Sequence, residues 1–221
     1  MEHSSRASGD LTAALEELPL FPLPQAVLLP GALLPLHVFE PRYRKMVRDV
    51  LDGHRTLSVV NIPDATKLDE RGMPIIARVA GVGTIVDHAE LPSGRYNILL
   101  RGRARVTLEE LTFVPPYRRA RATILPSRDE DVSSTATASL IASSTAFVAL
   151  VRERDASFDF RMPKLSDPGT LADHCAQQLL IDARDRQTAL ETTSVVERVR
   201  FVTETLALQK MTLAGMPGAL N

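Results

Sequence analysis

The sequence predicts an α+β protein in two parts: a β-rich N-terminal part with one inserted helix, and a C-terminal helical bundle. Three observations carry this. Between residues 18 and 125, short β-favouring apolar runs alternate with Pro and Gly. Inside that region one stretch, Tyr43, Met46, Val47, Val50 and Leu51, repeats at helical spacing. After Pro126 the composition turns rich in Ala, Leu and Val, with helix-start signals at Asp167-Pro168 and at Ser194-Val195-Val196-Glu197.

Residues 1–17 read as a loose, polar lead-in without the charged-then-apolar pattern of a signal peptide. Leu18–Phe21 and Ala26–Leu29 are apolar runs cut by Pro22, Pro24, Pro30 and Gly31, which suits short strands at a sheet edge or corner. Pro41 opens the helix, because its missing N–H would be unpaired there, and Gly53 stops it. Leu57–Ile62 reads as a buried strand and Asp64–Met73 as a polar loop. Ile75–Val86 is a long β-favouring run in which Gly81 and Gly83 permit a bulge or a sharp bend. Leu91–Arg95 turns the chain into a strand over Tyr96–Leu108, and Pro115–Tyr117 turns it into another over Arg119–Leu125. Ala136–Arg154, Gly169–Ile181 and Asp185–Glu191 read as helices, with a break over Asp155–Ser166. Val195, Val199, Val202 and Leu206 stripe a last helix. The expected division is a lead-in 1–17, a β-rich subdomain 18–126, a helical subdomain 127–211 and a frayed tail 212–221.

The 221 residues are 44% hydrophobic and 24% charged, as in an ordinary globular protein, and a net charge of -1 means that composition alone does not predict a polyanion partner. Only four of the 26 basic residues are Lys (Lys45, Lys67, Lys164, Lys210). Cys175 stands alone, so no intrachain disulfide forms, and a reducing cytoplasm is the expected location. No stretch approaches 18 apolar residues, so no membrane span is expected.

No catalytic constellation emerges. The five His (His3, His37, His54, His88, His174) lack helical i, i+4 spacing, and neighbours His174 and Cys175 point apart on a helix. There is no Gly-x-Ser-x-Gly elbow and no phosphate-binding Gly-x-x-x-x-Gly-Lys-Ser/Thr loop. The expectation is no catalytic residue, no cofactor and no metal.

Two features are candidates for partner contact. On an extended strand Arg101, Arg103 and Arg105 share one face, and Arg119 and Arg121 share one face of the next strand. Such a cluster calls for acidic neighbours, with Asp87, Glu90, Glu109 and Glu110 the nearest in sequence. The second feature is Glu40-Pro41-Arg42-Tyr43. Glu40, Arg42 and Tyr43 either contact peptide backbones or set the geometry of a helix start. In the latter reading Phe39 and Tyr43 fill the core and Arg42 pairs locally.

Several blocks together resemble a known family. They run Leu18-Pro19-Leu20-Phe21-Pro22-Leu23-Pro24, Leu29-Pro30-Gly31 and Pro35-Leu36-His37-Val38-Phe39-Glu40-Pro41-Arg42-Tyr43. Then come Gly81-Val82-Gly83-Thr84, Gly94-Arg95 with Gly102-Arg103-Ala104-Arg105, and Pro116-Tyr117 with Ala120 and Ala122. Weaker matches follow in Leu171-Ala172-Asp173 and from Gln187 to Arg198. In this order they resemble the substrate-binding N-terminal domain of Lon proteases, over roughly residues 18–210. The resemblance implies a PUA-like β pseudo-barrel followed by a helical bundle, and a non-catalytic module that binds unfolded or specific protein segments. A separate protease is a further implied partner. The family's ATPase and peptidase motifs do not occur in these residues. The alternative is an RNA- or other anion-binding module working through the arginine face. The scarcity of aromatic residues (5%, no Trp) weighs against it.

Overall fold

The computed structural model describes residues 11–163 and 167–215, which divide after Pro126 into two compact units. The first holds strands β1 (Leu18–Pro24), β2 (Leu33–Val38), β3 (Thr56–Ile62), β4 (Val79–Glu90), β5 (Tyr96–Glu110) and β6 (Arg119–Leu125), with helix α1 (Pro41–Asp52) between β2 and β3. The second holds α2 (Ser134–Arg154), α3 (Pro168–Leu179), α4 (Ala183–Glu191) and α5 (Val195–Ala214).

The sheet order is β2-β5-β4-β3-β1-β6, and β6 pairs again with β5. Five strands therefore close into a barrel, with β2 outside the circuit. β5 makes this possible by its length. Its first half pairs with β2 and its second half with β6, while β4 runs along its other side. Alternation then sends side chains to two cores. Leu18, Leu20, Val60, Ala80, Val82, Val106 and Leu108 fill the barrel. Phe21, Leu57, Val59, Ile85, Ile98 and Leu100 face outward onto α1, which buries Tyr43, Met46, Val47 and Val50 against them. Burial of one such side chain contributes about 1.5–3 kcal/mol. Tyr117 ties the far end of α1 down, its phenol donating to Asp49 at 2.9 Å. Burial and that carboxylate push the phenol up to about 12.

Several expectations change. Residues 11–17 are not a loose lead-in: residues 11–14 make a helical turn and Leu15 joins the barrel core, its carbonyl accepting from the Ala122 N–H at 2.8 Å. Residues 1–10 lie outside the described ones. β1 is not an edge strand, since it pairs parallel with β3 and antiparallel with β6. Its prolines are tolerated because the Leu20 N–H points to the β6 side, onto the Arg118 carbonyl. Pro22 and Pro24 share that direction, beyond the start of β6, where no ladder partner is denied. The strand expected from Ile75 begins only at Val79. The helix expected to fray at Thr212 continues to Ala214. Part of the break expected over Asp155–Ser166 falls on residues 164–166, outside the described ones.

Residues Ala26–Leu29 are not a strand either. They cross the outer face of β4 and β5 at a distance that only glycine allows. A Cβ on Gly81 would sit 1.8 Å from the Leu28 carbonyl oxygen, and one on Gly102 would sit 2.1 Å from that of Leu29. The crossing is tied by hydrogen bonds from Gly31 N–H to the Gly102 carbonyl (3.0 Å) and from Gly102 N–H to the Ala32 carbonyl (2.8 Å).

In the helical unit the two N-caps read from sequence, Asp167 and Ser194, are made by side chains, and Asp182 adds one that was not expected. Asp167 accepts from Thr170 N–H, Asp182 from Arg184 N–H and Ser194 from Glu197 N–H. α3 and α5 are joined by a buried ion pair, Arg198 Nε to Asp173 Oδ1 at 3.0 Å, with side chains 1% and 5% exposed. Arg198 also donates to the Thr192 carbonyl and the Ser127 hydroxyl. α2 is uncharged from Ser134 to Val151 and, against the expectation from sequence, is the one described helix long and apolar enough, by length and composition, to cross a membrane. In this unit it buries Leu140, Ser144, Phe147 and Val148.

Two stability measurements check these assignments. Gly81→Ala is expected to lower the urea midpoint by the equivalent of about 3 kcal/mol or more. Gly53→Ala, whose methyl meets nothing nearer than 3.4 Å, should change it little. Arg198→Met strands the Asp173 charge and is expected to cost about 3–5 kcal/mol, most of it recovered in the double variant with Asp173→Leu. Thermal melts of the four proteins in that cycle decide the point.

Candidate functional site

The Glu40–Tyr43 block is mainly a device for starting α1. The Glu40 carbonyl accepts from the N–H groups of Tyr43 and Arg44 at 3.0 and 2.9 Å. Its carboxylate takes the Arg42 Nε at 2.9 Å, and the Arg42 guanidinium lies 4.6 Å from the Tyr43 ring centroid. The Tyr43 ring is buried, 4.5 Å from that of Phe21, and burial raises its phenol pKa. Tyr43 is therefore unavailable to a partner, while Glu40 and Arg42 satisfy each other at the surface. Phe39, expected in the core, points the other way and is 61% exposed.

The five arginines do not form one face. Arg119 pairs with Glu17 at 2.7 Å, and Arg121 with Glu16 at 3.3 Å and Glu109 at 3.9 Å. Two of those three acids come from the short segment before β1 and were not among the expected partners. Arg105 is 4% exposed and does not share a face with Arg101. The cause is a β-bulge. Val82 pairs with Ala104 but Gly83 pairs with Gly102, so Arg103 is an extra residue that reverses the alternation. Arg105 thereby turns to the side of Leu100 and Gly102. Arg101 and Arg103 remain exposed and carry no ion pair or hydrogen bond among the described residues.

These two guanidinium groups lie at one end of an apolar stripe. β2 is the open edge of the sheet, paired only with β5. Its outward side chains, continuing past its end, are Leu33 (45% exposed), Pro35, His37 and Phe39. Arg101 pairs across from Leu33. At the other end His37 is held by Asn97 at 2.7 Å, with its ring 6.2 Å from that of Phe39. Leu99, across from Pro35, and the exposed Val86 widen the apolar surface. The Ala32 carbonyl accepts from Gly102, so alternation turns the main-chain groups of Leu33, Pro35 and His37 to the open edge. That edge offers three carbonyls and, because of Pro35, only two N–H groups. No strand was expected over residues 33–38: the run Leu33-Leu34-Pro35-Leu36-His37-Val38-Phe39 is apolar at nearly every position, so no alternation marks the residues that face out.

Among the described residues, His174 and Cys175 do not assemble into a catalytic pair. His174 bonds the Arg161 carbonyl at 3.1 Å, whereas Cys175 is buried and accepts from the Ser144 hydroxyl at 3.3 Å. Burial pushes the Cys175 thiol pKa up, the opposite of activation. Among the described residues no His, Cys, Asp and Glu cluster is spaced to hold a metal. A polar cleft of about 440 Å³ is lined by Arg48, Asp52, Arg55, His88, Glu90 and Tyr96, its basic and acidic groups balanced.

Comparison with known proteins agrees with this architecture. Residues 17–207 match the ATP-dependent protease La (LON) substrate-binding domain. The chain is 31% identical over 192 residues to a Lon protease of Roseiflexus castenholzii, covering 85% of the chain and 23% of that protein. It is 28% identical to one of Anaeromyxobacter dehalogenans, covering 86% of the chain and 23% of that protein. The chain thus spans about a quarter of the length of the curated relatives it matches. A crystal structure of a Lon N-terminal domain protein from Xanthomonas campestris superposes with a TM-score of 0.62 at 23% identity, covering 91% of this chain and 99% of that one. The N-terminal domain of a Mycobacterium avium complex Lon protease gives 0.61 at 16%, with coverage of 86% and 98%.

The division of the arginines has a direct test. Arg105→Gln is expected to cost about 3 kcal/mol of stability, as for other buried charged groups deprived of their role. The double variant Arg101→Gln, Arg103→Gln should stay within about 0.5 kcal/mol of the parent. Equal effects in denaturant titrations would contradict the assigned faces.

Proposed function

The chain belongs to the ATP-dependent protease La (LON) substrate-binding domain family, and on that footing we propose that it is a non-catalytic module that binds extended, apolar protein segments along β2. The observation that carries this reading is the edge strand itself. All four of its outward residues, Leu33, Pro35, His37 and Phe39, are apolar or aromatic or can stack, and they sit beside unpaired main-chain groups. An extended segment laid there gains hydrogen bonds to the edge and apolar contacts from every second side chain. Arg101 and Arg103, free at the Leu33 end, favour segments with an acid flanking the apolar run. Delivery of such segments to a separate protease is the role this suits.

Ordering a disordered segment costs several kcal/mol, so micromolar affinity is expected. The check is fluorescence anisotropy with labelled, reduced and carboxymethylated lactalbumin, a permanently unfolded protein. Leu33→Ser with Phe39→Ser should weaken binding at least about tenfold, since each side chain loses a contact worth about 1.5–3 kcal/mol. Both residues are exposed, so the melting temperature should hold. Unchanged affinity in that variant would remove β2 as the site. If instead a labelled single-stranded RNA bound more tightly than the unfolded protein, with a steep salt dependence lost in Arg101→Gln, Arg103→Gln, the anion-binding alternative would replace this reading.

A further inference from the structure

The charges along β2 stand at one end of it. Its outward row runs Leu33, Pro35, His37 and on to Phe39. Arg101 lies across from Leu33, and Arg103 follows two residues further along β5, past the start of β2. At the Phe39 end Glu40 and Arg42 satisfy each other, and Asn97, across from His37, is uncharged. Asp87 shares the face through Leu99, which lies across from Pro35, so it stands level with the middle of the row. Its Oδ1 accepts from the His88 N–H at 2.9 Å. The row is therefore neutral at the Phe39 end and positive at the Leu33 end.

A peptide chain also has direction, and the strand edge couples its direction to that of the row. An added strand could run either way along the open groups of Leu33, Pro35 and His37. Two arguments select the antiparallel arrangement. Antiparallel ladders are the more stable per residue. Parallel strands occur almost only in sheets covered on both faces, whereas here Leu33, Pro35 and His37 leave one face open to solvent. β5, on the other side of β2, is itself antiparallel to it.

An antiparallel segment enters at the Phe39 end and leaves at the Leu33 end, so its C-terminal side meets the arginines. Opposed residues share a face. Those across from His37 and Pro35 extend the apolar row, and those across from Leu33 and beyond come beside Arg101 and Arg103. With strands about 4.8 Å apart, the Arg101 backbone is about 10 Å from the added one. An arginine and a glutamate side chain together span that gap.

We propose that β2 discriminates chain direction: it selects extended segments in which the acid follows the apolar run on its C-terminal side, with Arg101 and Arg103 setting the order. This rests on β2 being the binding site, as proposed above.

The test is isothermal titration calorimetry on the full chain with two capped peptides. One is acetyl-Ser-Val-Ser-Phe-Ser-Val-Ser-Glu-Ser-Glu-amide, and the other is its reversed sequence, acetyl-Glu-Ser-Glu-Ser-Val-Ser-Phe-Ser-Val-Ser-amide. Composition and net charge are the same, and neither has a charged terminus. The acid-last peptide is expected to bind about fivefold more tightly at low salt, the worth of one or two exposed ion pairs. The preference should vanish at about 1 M salt. Arg101→Glu with Arg103→Glu should invert the order, because the acid-last peptide then meets like charge. Both residues are exposed, so the melting temperature should hold. Equal affinity of the two peptides, tighter binding of the acid-first one, or a preference that survives the charge reversal would each overturn the proposal. If Leu33→Ser with Phe39→Ser still weakened both peptides in those cases, β2 would stand as the site without its directional choice. If neither peptide bound, or that variant bound them as the parent does, the reading of β2 as the site would fail first and the direction with it.

Discussion

Much of the β-rich unit depends on one close backbone contact, the crossing of Ala26–Leu29 over Gly81 and Gly102. A carbonyl oxygen occupies the volume in which a side chain would begin. The crossing carries the chain from β1, inside the barrel, to β2, outside it. It also puts Leu28 into the core that holds α1. Without glycine at these positions the segment could not lie down, and β2 would have no fixed start beside β5. The hydrogen bonds at Gly31, Ala32 and Gly102 then set the register of β2, and with it which residues face out.

The same neighbourhood explains why charge is distributed as it is. One extra residue at Arg103 turns a row of arginines that alternate in sequence into a buried one and two exposed ones. The next strand's arginines are neutralised by Glu16 and Glu17, residues that the β-rich reading placed in a flexible leader. What remains exposed and unpaired is small, two guanidinium groups, but it borders the apolar edge rather than standing alone.

Much of the fold was readable because its signals are local. The 3.6-residue repeat from Tyr43 to Leu51, the Asp167 and Ser194 caps, and the bounds of the strand Arg119–Leu125 depend on neighbours in sequence. The candidate site was less readable because its determinants are not local. Phase in β2 depends on the distant crossing. The burial of Arg105 depends on a bulge whose partner lies on β4, and glycines there announced only that a bulge was permitted. Blocks such as Phe39-Glu40-Pro41-Arg42-Tyr43 identified the family while saying little about contact, because most of their residues build the helix start.

Pro35 has one more consequence. An open strand edge lined with apolar side chains is the geometry from which sheets grow by stacking copies, and proteins that keep such edges usually blunt them. In β2 the missing N–H falls at the middle of the exposed rung pattern, between Leu33 and His37. A single flexible segment can bend around that gap and still use the rungs on either side. A rigid copy of the same strand meets a gap of its own in every layer, so fibre growth loses a rung each time while transient capture loses it once.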